Sequence, residues 1–256
     1  AAVATALGIN APETGLTSYG GNMVQYVLSQ AALDIQNGKH SVVIITGAEC
    51  GNVLAKARRA GQKVAWQQAP GSPDRLFDKG GFGANSSERA VGLGGAPTWY
   101  ALFENALRAA RGESIEGHLA RISELWAGFS EVAADNPDAW IRTAVSALDI
   151  RTPGKDNRPI TFPYPKLMNA NNNVDQAAAM VLCDTETAAR LGISEDKWIY
   201  PWTSTHGCDT TEVSHRDNLY SSPAIRIAGR RCLELAQLDV EDLDYVDVYS
   251  CFPSAV

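Results

Sequence analysis

The sequence predicts an α/β protein interrupted by a helical insertion, and three observations predict it. After Gly20-Gly21-Asn22, the apolar residues Met23, Val24, Val27, Leu28, Ala31, Ala32 and Ile35 recur at steps of three and four, a helix stripe that Gly38 ends. The next run, Ser41 to Thr46, is short, β-branched and continuous, the pattern of a strand buried on both faces, and it stops at Gly47-Ala48-Glu49. The same grammar returns later in the chain. Ala177 to Cys183 reads as a buried strand, and Thr185 to Leu191 as a short helix closed by Gly192. Lys197 to Thr203 reads as a further strand. Pro223 opens a helix through Leu235, and Asp244 to Phe252 alternates into a last strand. Helix, link and buried strand thus occur twice, at 23–47 and 223–250.

Between these blocks, residues 57–97 lose all periodicity and collect glycines and prolines, the composition of a long irregular segment. A helical block follows. Thr98 can cap a helix through Arg111, and Ser114 can cap one carrying Ile115, Leu119, Ile122, Leu125, Trp126, Phe129 and Val132. Pro137 suits the first turn of a third helix, through Leu148. Trp126 and Phe129, at helical spacing, read as the core of this insertion. The expected division is therefore 1–56, 57–165 for the insertion, which ends in the Pro-rich TFPYPK, and 166–256.

With 45% apolar and 20% charged residues, the 256-residue chain can bury a real core, and 22 glycines with 12 prolines are too few for a collagen-like or low-complexity protein. A net charge of −7 has the wrong sign for neutralising phosphates over a wide surface, so nucleic acid is not an expected partner. No window reaches the roughly 18 apolar residues needed to span a bilayer. The five cysteines, Cys50, Cys183, Cys208, Cys232 and Cys251, form no C-x-x-C pair, and an odd set of free thiols suits a cytoplasmic protein. The Gly-rich stretches GGFGANSS and GLGGAP lack the context of a nucleotide-binding loop. His40 and His118 read as surface residues, His215 as part of a charged loop, and His206-Gly207-Cys208 as a polar loop; no metal set emerges.

The sharper signal is Ser18-Tyr19-Gly20-Gly21-Asn22-Met23-Val24-Gln25 running straight into a helix whose following strand ends Thr46-Gly47-Ala48-Glu49. Here the chain resembles the thiolase superfamily, in which a Cys-Gly-Ser-Gly-x-Gln turn opens a helix and the next strand ends in a Gly-Gly-x-Glu-like turn. Asn169-Ala170-Asn171-Asn172-Asn173-Val174-Asp175-Gln176-Ala177-Ala178-Ala179 is similar to the thiolase segment N-A-S-G-I-N-D-G-A-A-A. Asp244-Tyr245-Val246-Asp247-Val248-Tyr249-Ser250-Cys251-Phe252 is similar to D-x-x-E-x-N-E-A-F. The nearest resemblance is to sterol-carrier-type thiolases and thiolase-like acetyl-CoA acetyltransferases, whose last motif reads x-x-C-F.

The resemblance implies a layered αβαβα sandwich with a loop domain, and a CoA thioester as substrate or ligand rather than a covalently bound cofactor. It also implies a nucleophilic Cys at the helix N-terminus, where unpaired N–H groups favour the thiolate. That position is Gly20, which cannot be acylated. The helix end still offers donors to a carbonyl or carboxylate, with Asn22 as a side-chain donor. Tyr249 falls where thiolases carry the Asn that holds the catalytic water or oxyanion, and thiolase-fold aldolases use tyrosines in C–C cleavage. Cys251 shares a strand face with Tyr249 if the strand persists. Asn171 replaces a small Ser beside the pantetheine arm, and Asn169 belongs to the same CoA-binding segment.

Three functions follow as expectations: acyl transfer on CoA esters, retro-aldol cleavage with Tyr249 as acid–base group, or a non-catalytic CoA-ester-binding partner subunit. The resemblance also implies dimerisation, with the Ser41 to Thr46 strand as an edge, as a homodimer or with a heteromeric partner. A strand after the 23–37 helix that ran antiparallel, or that lay distant from the 244–250 strand, would count against the family. The chain starts without Met, and its last residues follow the x-x-C-F motif closely, so a fragment of a longer thiolase-like protein is expected.

Overall fold

The computed structural model describes residues 2–66, 71–77 and 83–256. In chain order the elements are α1 (Ala2–Ala6), β1 (Gly15–Thr17), α2 (Met23–Gln36), β2 (Val42–Cys50), α3 (Gly51–Arg59), β3 (Arg75–Phe77), α4 (Ser86–Ala90) and α5 (Ala96–Ala110). They continue with α6 (Ile115–Asp135), α7 (Ala147–Arg151), β4 (Pro159–Thr161), β5 (Tyr164–Pro165), β6 (Asp175–Cys183), α8 (Thr185–Arg190) and α9 (Pro223–Ala236). The mixture is α/β, as the sequence predicts. The chain divides into two compact units, one from residues 1–82 with 172–206, the other from 83–171 with 207–256.

The first unit is organised by an antiparallel pair, β2 with β6, in continuous register from Val42 opposite Cys183 to Cys50 opposite Asp175. The strand read as ending at Gly47 therefore runs on through Gly47-Ala48-Glu49, because β6 supplies ladder partners over all nine residues. It is not buried on both faces: Val42 and Ile44 are 45% and 47% exposed. The helix stripe of 23–35 is real, and α2 buries Met23 and Ala31. Gly51 is required at the end of β2, since a Cβ there would stand 2.1 Å from the Asn172 carbonyl oxygen. Asp175, at the start of β6, closes the exposed end of α3: it accepts from the Val53 N–H at 3.0 Å and from Asn52 Nδ2 at 2.8 Å. Those two donors hold its carboxyl below the usual range, the Val53 amide most strongly. β1 pairs in parallel with β3, and Arg75 of β3 reaches Asp34 of α2 at 2.6 Å while lying over the Phe77 ring.

The second unit is built on the helical block. Ala101 of α5, Ile122 of α6, Ile150 of α7, Tyr164 of β5, Met168 and Phe252 form its core, with Tyr100, Leu119, Trp126 and Cys251 packed against it. Ser114 caps α6 as expected, accepting from the Gly117 N–H at 3.0 Å. The helix before it begins earlier than read, with Gly95 as N-cap and Pro97 in the first turn; the Thr98 hydroxyl donates back to the Gly95 carbonyl instead of capping. No helix spans 137–148; only the turn Ala147–Arg151 is helical, capped by Ser146. Asn157 then seals the end of that turn, its amide nitrogen donating to the Ile150 and Thr152 carbonyls while its oxygen accepts from the Leu167 N–H.

Two further readings are corrected. Residues 197–203 and 244–252 do not form strands, because an alternating sequence becomes a strand only with a ladder partner and neither segment has one among the described residues. Ile199 and Tyr245 are 93% and 95% exposed. His118 is not a surface residue. It is 1% exposed, with Nε2 2.8 Å from Glu104 Oε1 and Nδ1 2.6 Å from Glu113 Oε2. Both ring nitrogens face carboxylate oxygens, and Arg121 also lies 3.1 Å from Nδ1. Part of GGFGANSS, read as an irregular loop, lies outside the described residues.

Glu113 also accepts from Arg121 Nε at 2.9 Å and Arg111 Nε at 2.8 Å. Arg121 first, then Arg111 and His118, hold its carboxyl down to about 2 from an ordinary 4.5. A carboxyl depressed in the folded state contributes stability that is complete above its unfolded value and is lost as pH falls through the folded one. Glu113→Gln is therefore expected to flatten the fall in melting temperature between about pH 4.5 and pH 2; an acid limb as steep as that of the parent protein would contradict this role.

Candidate functional site

The densest group of chemically capable side chains lies in the second unit, where α5 faces the segment 249–254. Tyr100, Phe103 and Glu104 stand three and four residues apart, so they share one side of α5. Phe252 is 4% exposed and stacks on the Tyr100 ring at 4.4 Å between centroids and 16° between planes. It also packs against Tyr164 at 5.3 Å. Tyr164, 1% exposed, donates its hydroxyl proton to Glu104 Oε2 at 2.7 Å and lies 3.1 Å from Ser254 Oγ and from the Tyr100 carbonyl oxygen. Burial, with the Glu104 carboxylate beside it, pushes the Tyr164 phenol far above its usual range, so it stays a donor. Glu104 is in turn held by His118. A buried polar chain thus fixes both ends of the 249–254 segment's anchor on α5.

Above that anchor, Cys251 is half-buried and its thiol hydrogen-bonds both Tyr100 and Tyr249. Burial raises the Cys251 thiol, more than the two phenol hydrogen bonds lower it. It is therefore a protonated thiol at neutral pH, the opposite of an activated nucleophile. Tyr249 is 61% exposed and forms the outer member of the three. The Ala170 N–H donates to the Cys251 carbonyl at 3.1 Å, which brings the Asn169–Asn171 turn against the same segment. Asn169 donates from Nδ2 to the Pro165 carbonyl at 2.7 Å, while its Oδ1 is buried without a hydrogen-bond partner among the described residues. Asn171 is exposed.

Gly20 and Asn22 belong to the other unit, at the start of α2. Asn22 is the N-cap residue but makes no side-chain capping bond, and the first amide of this 14-residue helix, Met23 N–H, donates to the Gly20 carbonyl at 3.1 Å. Gly20 has no left-handed backbone, and a Cβ there would meet only the end of the Asn22 side chain at 2.8 Å and Met23 Cγ at 3.5 Å. A cavity of about 430 Å³ lies in this unit between α1, α2 and β2, with Arg75 and Asp34 at its polar end. None of the six residues expected at the site lines it.

Sequence reasoning missed Tyr100, Glu104, His118 and Tyr164. A signal existed for Glu104, a lone carboxylate on the side of α5 that also carries Tyr100 and Phe103; a charge in such a place needs a buried partner. Among the described residues no cluster of three His, Cys, Asp or Glu side chains could hold a metal ion, and no helix is long and apolar enough to cross a membrane.

An α/β unit with a helix opening after a Gly-Gly turn, and a Tyr-x-Cys-Phe segment in the helical unit, make the chain similar to thiolase-like proteins. Comparison with known proteins agrees. The chain superposes on a monomeric SCP2-thiolase-like protein type 1 from Mycobacterium smegmatis with a TM-score of 0.82 and 30% identity, over 99% of this chain and 49% of that one. It is 27% identical over 97 residues to an acetyl-CoA acetyltransferase of Methanocaldococcus jannaschii, 38% of this chain and 24% of the relative. It shares the fold of the Ltp2-ChsH2(DUF35) aldolase, with a TM-score of 0.67 and 19% identity over 99% of this chain and 59% of that one. No family model matches. The chain has a thiolase-like fold and spans about half the length of the SCP2-thiolase-like protein. The antiparallel β2–β6 pair, expected to count against this, lies within the superposed region, so that criterion was mistaken.

Gly20→Cys is expected to fold with a stability change within about 0.5 kcal/mol, because only a flexible amide must move. The introduced thiol, just before the N-terminus of a 14-residue helix, should titrate below the roughly 8.5 of a free cysteine. A titration at or above that value, read by alkylation rate against pH, would show that the α2 end does not stabilise an anion.

Proposed function

We propose that this chain carries the acid–base machinery of a thiolase-fold protein that cleaves or forms a C–C bond in a CoA thioester. The observation that supports this reading is the state of Cys251: a thiol kept protonated between two phenols, in a chain whose usual nucleophile position holds Gly20. Acyl transfer through an acyl-enzyme needs a thiolate. Retro-aldol chemistry needs only a proton carrier. In a 3-hydroxyacyl thioester, the hydroxyl proton passes to a Tyr249 phenolate as the Cα–Cβ bond breaks. The electron pair of that bond passes into the thioester enolate, and the phenol so formed delivers the proton to Cα, which restores the phenolate and leaves one carbonyl product and one shorter thioester with no net proton change. The orphaned Asn169 Oδ1 suits an amide N–H of a pantetheine arm, with Asn171 beside it.

Gly20 also favours a second reading, in which the chain binds CoA esters without turnover as a partner subunit, to itself or to another chain. The two separate in one set of assays. Acetyl-CoA at millimolar concentration is expected to raise the melting temperature in both readings, and no shift would contradict both. Tyr249→Phe is expected to lower the cleavage rate of a 3-hydroxyacyl-CoA by about 10² or more, the range of a lost general acid–base group, while acetyl-CoA still protects. Unchanged turnover in that variant would remove Tyr249 from the chemistry, and protection without any parental turnover would favour the binding subunit.

A further inference from the structure

We propose that the cavity of the first unit is a slot between β1 and β2 for one extended, apolar, uncharged segment of a partner polypeptide, held there by main-chain pairing. The cavity, of about 430 Å³, is lined by every residue of β2 from Val42 to Thr46 and by every residue of β1 from Gly15 to Thr17. Side chains of a strand alternate between its two faces, so a cavity over one face meets every second residue, whereas an unbroken run marks a cavity along the strand's edge. Two strand edges thus border one space. β1 and β2 do not pair with each other, and among the described residues no third strand pairs with either of these edges.

Both edges present main-chain groups. β2 gives its other edge to β6 along its whole length, and in an antiparallel pair every second residue turns its N–H and C=O away from the partner. β1 bonds β3 through Thr14, whose carbonyl accepts from the Arg75 N–H at 3.0 Å, and through Ser18, whose N–H donates to the Phe77 carbonyl at 3.1 Å. With a period of two, Leu16 faces β3 as well, which turns the main-chain groups of Gly15 and Thr17 to the cavity. Edges of this kind take up extended segments by main-chain bonds. The walls set the chemistry of the occupant: Leu7 of α1, Leu16 and Ile44 are 65%, 57% and 47% exposed, and Val27 and Ala31 of α2 line the same space. The charges at the polar end answer one another, Glu13 with Lys39 at 2.8 Å and Asp34 with Arg75 at 2.6 Å, so they ask none of the occupant. At about 3.3 Å per residue, the run from Val42 to Thr46 matches a strand of about five residues. A second copy does not lend its β2 to this space, because that strand carries β6 over all nine residues and a space bordered by two edges admits one strand.

The test adds blocked heptapeptides to the 256-residue chain and follows hydrogen exchange at the β2 amides between Val42 and Thr46 that face away from β6. A peptide alternating valine and threonine, at ten times its dissociation constant, is expected to slow exchange there about tenfold and to raise the melting temperature. The same peptide with lysine in place of valine, or with its amide nitrogens methylated, is expected to do neither, since the first brings charge and the second cannot donate to an edge. Leu16→Lys, at an exposed position of the wall, is expected to remove the effect of the valine peptide. Several results overturn the proposal: no slowing with the valine peptide, equal slowing with the methylated peptide or with decanol, or an unchanged effect in Leu16→Lys. Slow exchange at these amides with no peptide added also overturns it, as does their protection in a dimer seen by sedimentation, which assigns the edge to a second copy.

Discussion

Glu104 is almost completely buried, and a carboxylate in that position is tolerable only because His118 and Tyr164 both donate to it. This three-way contact joins α5, α6 and β5, and through Ser254 and Phe252 it fixes the segment that carries Tyr249 and Cys251. The cost of removing one partner from such a group is typically about 3–5 kcal/mol, because the remaining charge stays buried. Glu113 completes the chain at the surface side, where two arginines share it with the His118 ring. The helical block is thus more than an insertion that tolerates variation. It is the platform on which the Tyr-x-Cys-Phe segment rests.

The chemistry available follows from what that platform does to Cys251. A half-buried thiol hydrogen-bonded with two phenols, its titration raised by burial, is kept protonated. In the proposed reading Gly20 leaves the start of α2 without a nucleophile, and this and the protonated thiol point the same way, from covalent catalysis toward proton transfer.

Much of the fold was legible. The 3.6-residue stripes of α2, α6 and α9, the Ser114 cap and the β-branched run of β2 all mark their elements. What failed, failed for physical reasons. Residues 197–203 and 244–252 carry a strand pattern, yet a ladder is made by two segments and the sequence of one does not disclose the other. His118 looks solvated beside Glu113, Glu116 and Arg121, but helix α6 turns it inward to a carboxylate fourteen residues away. Tyr249 and Cys251 were found by motif. Tyr100 was not, because its partner lies about 150 residues further on and nothing in a local pattern records a contact of that length. Asp175 shows the reverse case: a residue within a recognised motif whose contacts cap α3.

The central claim is that the buried Glu104 contact holds the Tyr249–Cys251 segment in place. Native-state hydrogen exchange at the Ala170 amide, which donates to the Cys251 carbonyl, reads this directly. In Glu104→Gln, exchange at Ala170 and at Ala255 is expected to quicken by about tenfold or more, one lost charged hydrogen bond being worth at least that, while the amides of the β2–β6 ladder keep their rates. Unchanged exchange at Ala170, or an equal acceleration at every protected amide in the chain, would contradict it.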